Sequence, residues 1–326
     1  MKKVLGMGNA LVDIMTQLEN DEFLDQHNLP KGSMQLVDYE LAGSIIDNAK
    51  NLKKTKASGG SAANTIHGLA QLGVETSFLG KVGKDELGKF FEKDLIDANI
   101  KPALLKSESK SGMAVALVSP DSERTFATFL GAAVEMTAKD LKNELFKSHH
   151  ILHIEGYLVQ NHDLVETAVK MAKENKLLVS LDLASYNVVE GNLDFLKRIS
   201  KDYVDILFAN EEEAKSFTGK EPEDALHAIS EMVDYAVVKV GSKGAMVKNQ
   251  GKVYKVDAIK AKSIDTTGAG DLFASGFLFG LIHGMSLDKC AQIGTITAGN
   301  VIEVIGAKMD EGRWAMVMEK IENIWG

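Results

Sequence analysis

The run Asp265-Thr266-Thr267-Gly268-Ala269-Gly270-Asp271 stands directly before an apolar helical pattern formed by Leu272, Phe273, Ala274, Gly276, Phe277 and Leu278. Gly268 and Gly270 let backbone approach a ligand closely, and the free N–H groups of a helix start can face an anion. A carboxylate at Asp271 can accept a hydroxyl proton while those N–H groups stabilise a phosphoryl group. The chemistry this pattern suits is phosphoryl transfer to an alcohol. A Gly-Ala-Gly-Asp turn also caps helices with no catalytic duty, because Asp is favourable near a positive helix end.

Other segments carry partners for that chemistry. Gly59-Gly60-Ser61-Ala62-Ala63-Asn64 is a loop-to-helix transition whose small residues admit a ligand, or equally a tight structural turn. Gly6-Met7-Gly8-Asn9-Ala10-Leu11-Val12-Asp13 has two glycines after a strand-like run, but Leu11 replaces the third glycine of a dinucleotide fingerprint. Asp13 there can accept hydrogen bonds from vicinal hydroxyls. Val238-Lys239-Val240-Gly241-Ser242-Lys243-Gly244 leads from a strand into a hairpin, where backbone can run close to a nucleotide. No Gly-x-x-x-x-Gly-Lys-Ser/Thr run occurs, which excludes a P-loop mechanism.

These residues need a frame, and the chain supplies alternating strand and helix patterns. Strand-like runs at Val4–Gly8, Val74–Leu79, Ile151–Glu155, Leu177–Asp182, Ile206–Ala209 and Tyr235–Val240 are interleaved with helical spacing at Ala62–Leu72, Glu86–Ala98, Asp163–Glu174, Glu211–Phe217 and Ala225–Met232. That alternation predicts an α/β fold with a mostly parallel sheet. A hairpin follows at Ala245–Lys248 and Lys252–Val256, and then helices at Gly270–His283, Ser286–Val304 and Gly312–Ile321. Gly32–Tyr39 and Gly112–Leu130 fit the core less well. The second holds a turn at Ser119-Pro120-Asp121-Ser122, and the two can pair as a small sheet over a cleft.

Composition narrows the function further. The 326 residues carry a formal net charge of -9, which removes the electrostatic basis for nonspecific binding to nucleic acid or an anionic membrane. No long apolar run predicts a membrane span, and the single Cys290 lies in an apolar helical pattern that suits packing. A cytoplasmic location, with a monomer or homodimer, is the expectation.

The seven-residue run ending in Asp271 resembles the signature of the ribokinase-like (PfkB) carbohydrate and nucleoside kinase family, and the resemblance extends from Gly6 through Gly306. It implies a three-layer ribokinase-like fold with a mostly parallel central sheet flanked by helices and a small β lid. The lid would comprise residues 11–45 and 102–135, and the α/β core residues 1–10, 46–101 and 136–326. The resemblance assigns Asp271 as base and Gly268, Ala269 and Gly270 as the anion hole. Gly59, Gly60 and Asn64 become acceptor contacts. ATP and Mg2+ are the implied cofactors, with Asn210 and Glu213 matching a magnesium-associated Asn-x-x-Glu pattern that works through water. Asp265 and Thr267 resemble positions beside a monovalent-cation site, for which K+ is the candidate ion.

Within the family, Gly8-Asn9 followed by Leu11 and Asp13 most resembles adenosine kinases, so Asn9 and Asp13 map to the nucleoside end of the cleft. Gln35 is placed near the base edge and Tyr157 as a stacking partner. Arg124 maps to a lid arginine that swings toward phosphate, where a planar guanidinium clamps two oxygens. Lys239, Gly241, Ser242, Gly244, Thr266, Asn210 and Asn300 fall on the nucleotide side. The implied reaction is ATP-dependent phosphorylation of the 5′-hydroxyl of adenosine or a related nucleoside, a step in purine salvage. A sugar kinase acting on a ribose- or fructose-like hydroxyl is the alternative, and a nonenzymatic ligand sensor a remote one.

Overall fold

A computed structural model describes residues 2–121 and 123–325. Its strands in chain order are β1 (Lys3–Met7), β2 (Leu11–Gln17), β3 (Met34–Leu36), β4 (Lys54–Gly59), β5 (Glu75–Gly83), β6 (Ile100–Ser107) and β7 (Gly112–Val118). They continue with β8 (Arg124–Phe129), β9 (Ile151–Glu155), β10 (Leu178–Asp182), β11 (Ile206–Asn210), β12 (Tyr235–Lys239), β13 (Ala245–Asn249) and β14 (Lys252–Val256).

Nine of these form one sheet in the order β14-β13-β12-β11-β10-β9-β1-β5-β6, parallel except at one edge, where β13 pairs antiparallel with both β12 and β14. Side chains alternate across it, because successive strand residues point to opposite faces. Val4, Phe208 and Val237 pack on one side with the helices Ser61–Gln71, Ala269–Ile282 and Leu287–Val301. Leu5, Leu207 and Val238 pack on the other with His162–Glu174, Leu193–Tyr203 and Glu211–Thr218. Coverage on both faces explains why these strands read as nearly unbroken apolar runs. Cys290 is fully buried against Gly280, where an added Cβ would come within 2.9 Å of its sulfur, so it serves packing.

The second sheet has the order β3-β8-β7-β2-β4. Val115, Leu117 and Ala127 form its own small core with Leu24 and Ile45, the latter from the helix Tyr39–Asn48. Two boundaries differ from expectation. The lid gains β4, which pairs antiparallel with β2, although residues 46–101 were assigned to the core. Lys54-Thr55-Lys56 has no apolar run to announce a strand, because it forms the lid's outer edge, where lysines discourage further pairing. The core keeps β6 to Ser107, paired in parallel with β5, so the lid begins later than residue 102. Of the turn expected at 119–122, Ser122 lies outside the described residues; Ser119 N–H donates to the Glu123 carbonyl across it.

Candidate active site

Parallel strands end in a row of polar side chains. Asn9 follows β1, Glu155 ends β9, Asp182 ends β10, Asn210 ends β11 and Lys239 ends β12. Glu155 stands opposite Asp182, and Asn210 opposite Lys239, in the sheet register. The carboxyl ends of parallel strands are where open α/β sheets bind ligands. Here they floor a cleft of about 1350 Å³, walled by the lid and by the start of the helix Ala269–Ile282.

Asp271 projects into this cleft from the first turn of that helix, and both its oxygens are held. Ser61 Oγ donates to Oδ1 at 2.7 Å and Asn64 Nδ2 to Oδ2 at 2.9 Å. Desolvation raises its pKa to about 6, against the lowering effect of those two hydrogen bonds. The group is therefore mostly ionised at neutral pH and ready to take a proton. Gly268, at φ +76°, turns the chain into the helix in a conformation that glycine adopts freely. Ala269 N–H, expected in the anion hole, donates to the Thr266 carbonyl at 3.2 Å, but among the described residues nothing takes up the N–H groups of Gly268, Gly270 and Asp271, so this helix start is an open anion cradle.

Glu155 is 1% exposed and ties two loops together, accepting from Asn9 N–H at 2.8 Å and from Ala62 N–H at 2.9 Å. Desolvation raises its pKa to about 7. It thus fixes the β1–β2 turn against the helix that supplies Ser61 and Asn64. Gly60 has φ +99°, and a Cβ there would fall 2.2 Å from the Asn9 carbonyl. A Cβ on Gly59 would fall 2.3 Å from the Asp13 carboxylate, so the paired glycines make room for both polar groups.

On the other side of Asp271, Lys239 Nζ pairs with Asp182 at 2.8 Å and sits 3.0 Å from where a Gly270 Cβ would be. Its pKa is raised because Asp182 and Glu213 outweigh desolvation. Asn210 and Glu213 close a reciprocal cap: Asn210 N–H donates to Glu213 Oε2 at 2.7 Å, and Glu213 N–H to Asn210 Oδ1 at 2.8 Å. Desolvation raises the Glu213 pKa, while Lys239 lowers it. Among the described residues no cluster of three or more His, Cys, Asp or Glu could hold a metal directly. A buried carboxylate lining the cleft still suits a hydrated divalent ion whose other ligands are nucleotide phosphates. Gly241, Ser242, Gly244 and Thr266 line the same cleft.

Four expectations need correction or restatement. Gln35 does not line the cleft; Met34 and Leu36 do, because strand alternation turns its neighbours inward and Gln35 away. Asn300 is buried within its helix, donating to the Ile296 carbonyl at 2.7 Å, and the cleft is lined instead by Ala298 and Gly299. Arg124 is not free to meet phosphate in this arrangement, since it pairs with Asp265 and donates to Thr267 Oγ1 at 2.6 Å. The Asp265 carboxylate also accepts from Thr267 N–H at 3.0 Å and Gly306 N–H at 2.5 Å, so the side chains of both residues expected beside a monovalent cation are hydrogen-bonded within the protein. Tyr157 does line the cleft, from a turn after β9, with its hydroxyl 3.5 Å from the Ala184 carbonyl.

Residues 33–311 match the family model described as pfkB family carbohydrate kinase. The chain belongs to that family. A nucleoside kinase of Methanocaldococcus jannaschii is 32% identical over 81% of this chain and 85% of its own. A probable sugar kinase protein from Rhizobium etli superposes with a TM-score of 0.88 at 31% identity, over 98% of both chains. The adenosine kinase from Sinorhizobium meliloti gives 0.87 at 30% identity, over 98% of this chain and 99% of that one. The protein is accordingly an ATP-dependent kinase of the ribokinase-like fold. Among the described residues, no helix of this pfkB kinase is long and apolar enough to cross a membrane.

Three polar residues of the kinase escaped the sequence reading. Glu155 and Asp182 terminate strands that were recognised, and a charged residue at the carboxyl end of each buried strand was the available signal. Lys308 lies in an irregular segment with no local pattern to mark it.

Proposed function

We propose that this kinase transfers the terminal phosphate of ATP to the 5′-hydroxyl of adenosine or a related nucleoside, giving ADP and the nucleoside monophosphate. One observation carries the reading. The lid wall of the cleft is apolar, with Met34 59% and Leu36 65% exposed beside Phe126, Leu130 and Val134. Exposed apolar side chains of that size facing a cleft call for an apolar ligand surface, which a flat purine offers and a free sugar lacks. Below them, Asp13 and Asn9 suit the hydroxyls of a ribose.

In the proposed step, the Asp271 carboxylate accepts the proton of the 5′-hydroxyl as that oxygen bonds to the γ-phosphorus. The bond from phosphorus to the bridging oxygen breaks, and ADP leaves. The N–H groups at Gly270 and Asp271 face the transferring phosphoryl oxygens, and Lys239 adds positive charge beside them. Glu213, with Asn210 beside it, would hold Mg2+, which when bound supplies charge neutralisation on the nucleotide phosphates.

The test is a panel of adenosine, other nucleosides, ribose and fructose with magnesium and ATP, reading ADP and the phosphorylated product. Adenosine giving AMP with the highest kcat/KM supports the proposal. A higher value for ribose or fructose overturns it.

A further inference from the structure

Lys308 lies behind the cleft, where the segment between the helices Leu287–Val301 and Glu311–Trp325 meets the lid. Its Nζ donates to Ser58 Oγ at 3.1 Å. Ser58 is on β4 opposite Val12, and its neighbour Ala57 is opposite Asp13, so the lysine is anchored beside the strand that carries Asp13. Lys308, Ser58, Asn64, Arg124 and Asp13 line a second cavity of about 40 Å³. Asp13 also lines the main cleft, as do Asn64, Phe126 and Thr267, so it borders both spaces. A Cβ on Gly59 would fall 2.3 Å from every atom of that carboxylate, so only glycine at this point of β4 leaves it room.

We propose that Lys308, which shares the second cavity with Asp13, is a positioning residue that favours the Asp13 carboxylate as acceptor for the vicinal hydroxyls of the substrate, and so sets a preference for acceptors carrying both. This rests on the reading of Asp13 as the hydroxyl contact. The charges around Asp13 come from several elements. Lys308 and Arg124 share the second cavity with Asp13 and favour its ionised form, while Asp271 shares the main cleft and opposes it. Asp94 and His67 face Lys308 in turn, while Asp265 pairs with Arg124. Desolvation raises the Asp13 pKa to about 7, and Lys308 is the strongest influence lowering it. Desolvation pushes Lys308 itself down to about 8, and His67 well below its usual range, so at neutral pH the lysine is charged and the histidine is not.

Without that ammonium, Asp13 keeps its proton to higher pH. A neutral carboxyl is a weaker acceptor, and it can receive fewer hydrogen bonds than a carboxylate. Binding of an acceptor with two vicinal hydroxyls then weakens, while one lacking both is little affected.

The experiment measures kcat/KM for adenosine and for 2′,3′-dideoxyadenosine between about pH 6 and pH 9, a span that covers the neutral range where perturbed carboxyls titrate. Taking the ratio cancels the titration of Asp271, which both substrates share. In the parent enzyme the ratio rises through neutrality. In Lys308→Met the midpoint of that rise moves up by at least about 1 pH unit, the effect of removing a nearby opposite charge. Lys308→Arg keeps the parental midpoint. Lys308→Gln, which can still donate to Ser58 but is uncharged, behaves like the Met variant and replaces it should that variant fold poorly. A parental ratio and midpoint in the Gln variant overturn the proposal, as does an equal loss on both substrates with the midpoint unmoved. Should the parent prefer ribose to adenosine, the nucleoside reading fails on its own. Ribose against 2-deoxyribose then tests Lys308 in the same way.

Discussion

Arg124, the first residue of β8, crosses from the lid to form an ion pair with Asp265, the residue that opens the anion loop, and their side chains are only 9% and 5% exposed. The same guanidinium donates to Thr267 Oγ1, one residue before Gly268. Lid position and cradle geometry are therefore joined through a single side chain. The pair is buried, so removing one partner leaves the other charge without compensation.

Arg124→Lys keeps the charge but cannot reproduce a planar fork that reaches Asp265 and Thr267 together. Turnover should fall by at least about tenfold, equivalent to about 1.4 kcal/mol of transition-state stabilisation. Steady-state kinetics at saturating ATP, with thermal melting as the fold control, provide the check. A parental kcat would mean that the lid does not act on the cradle through this residue.

Asp271→Asn preserves size and keeps an oxygen to accept one hydrogen bond from Ser61 or Asn64. Ligand affinity should survive, while turnover falls by about 10²–10⁴-fold, the usual contribution of a positioned base. Calorimetric binding beside single-turnover phosphoryl transfer separates the two. Near-parental transfer would remove Asp271 from its assigned role.

Gly59→Ala introduces a Cβ into the space of the Asp13 carboxylate. The flanking backbone is a lid strand and need not unfold, so the expected result is a raised KM for the acceptor with an unchanged KM for ATP. Equal changes in both constants would instead point to a general loss of the cleft.

The reasons some of this was legible in the sequence, and some not, are physical. Asp265–Asp271 and Gly59–Asn64 are local: the backbone turn, the helix start and the side chains that use them are neighbours in the chain. Their meeting, through Ser61 and Asn64 on Asp271, joins residues more than 200 positions apart. The family resemblance placed Asn64 and Asp271 at one site, but it named neither Ser61 nor these two hydrogen bonds. Gln35 failed because a three-residue strand gives too few alternations to fix which side faces in. Asn300 failed because a polar residue in an apolar helix has two solutions, a ligand or a backbone carbonyl, and local spacing does not choose between them. Lys308 is informative only once β2, β4 and the chain after residue 301 are brought together.

Glu155 offers a test of the site through stability. Its pKa in the folded protein is raised from 4.5 to about 7, chiefly by desolvation. Between those values the native state binds a proton that the unfolded chain does not, so the contribution to stability is fully present below about pH 4.5 and is lost as pH rises through about 7. A glutamine side chain at this position would have no proton to lose. The melting temperature of Glu155→Gln minus that of the parent should therefore become more positive from about pH 5 to about pH 8, by a few degrees, since about 1 kcal/mol moves the midpoint of a chain of this size by about 1–2 °C. Taking the difference between the two proteins cancels the histidines that titrate in the same range, His149 and His153 among them. A difference that stays constant with pH would show that the carboxyl is ionised throughout. The two N–H donors of Asn9 and Ala62 would then outweigh desolvation, and Glu155 would hold the acceptor loops as a permanent carboxylate.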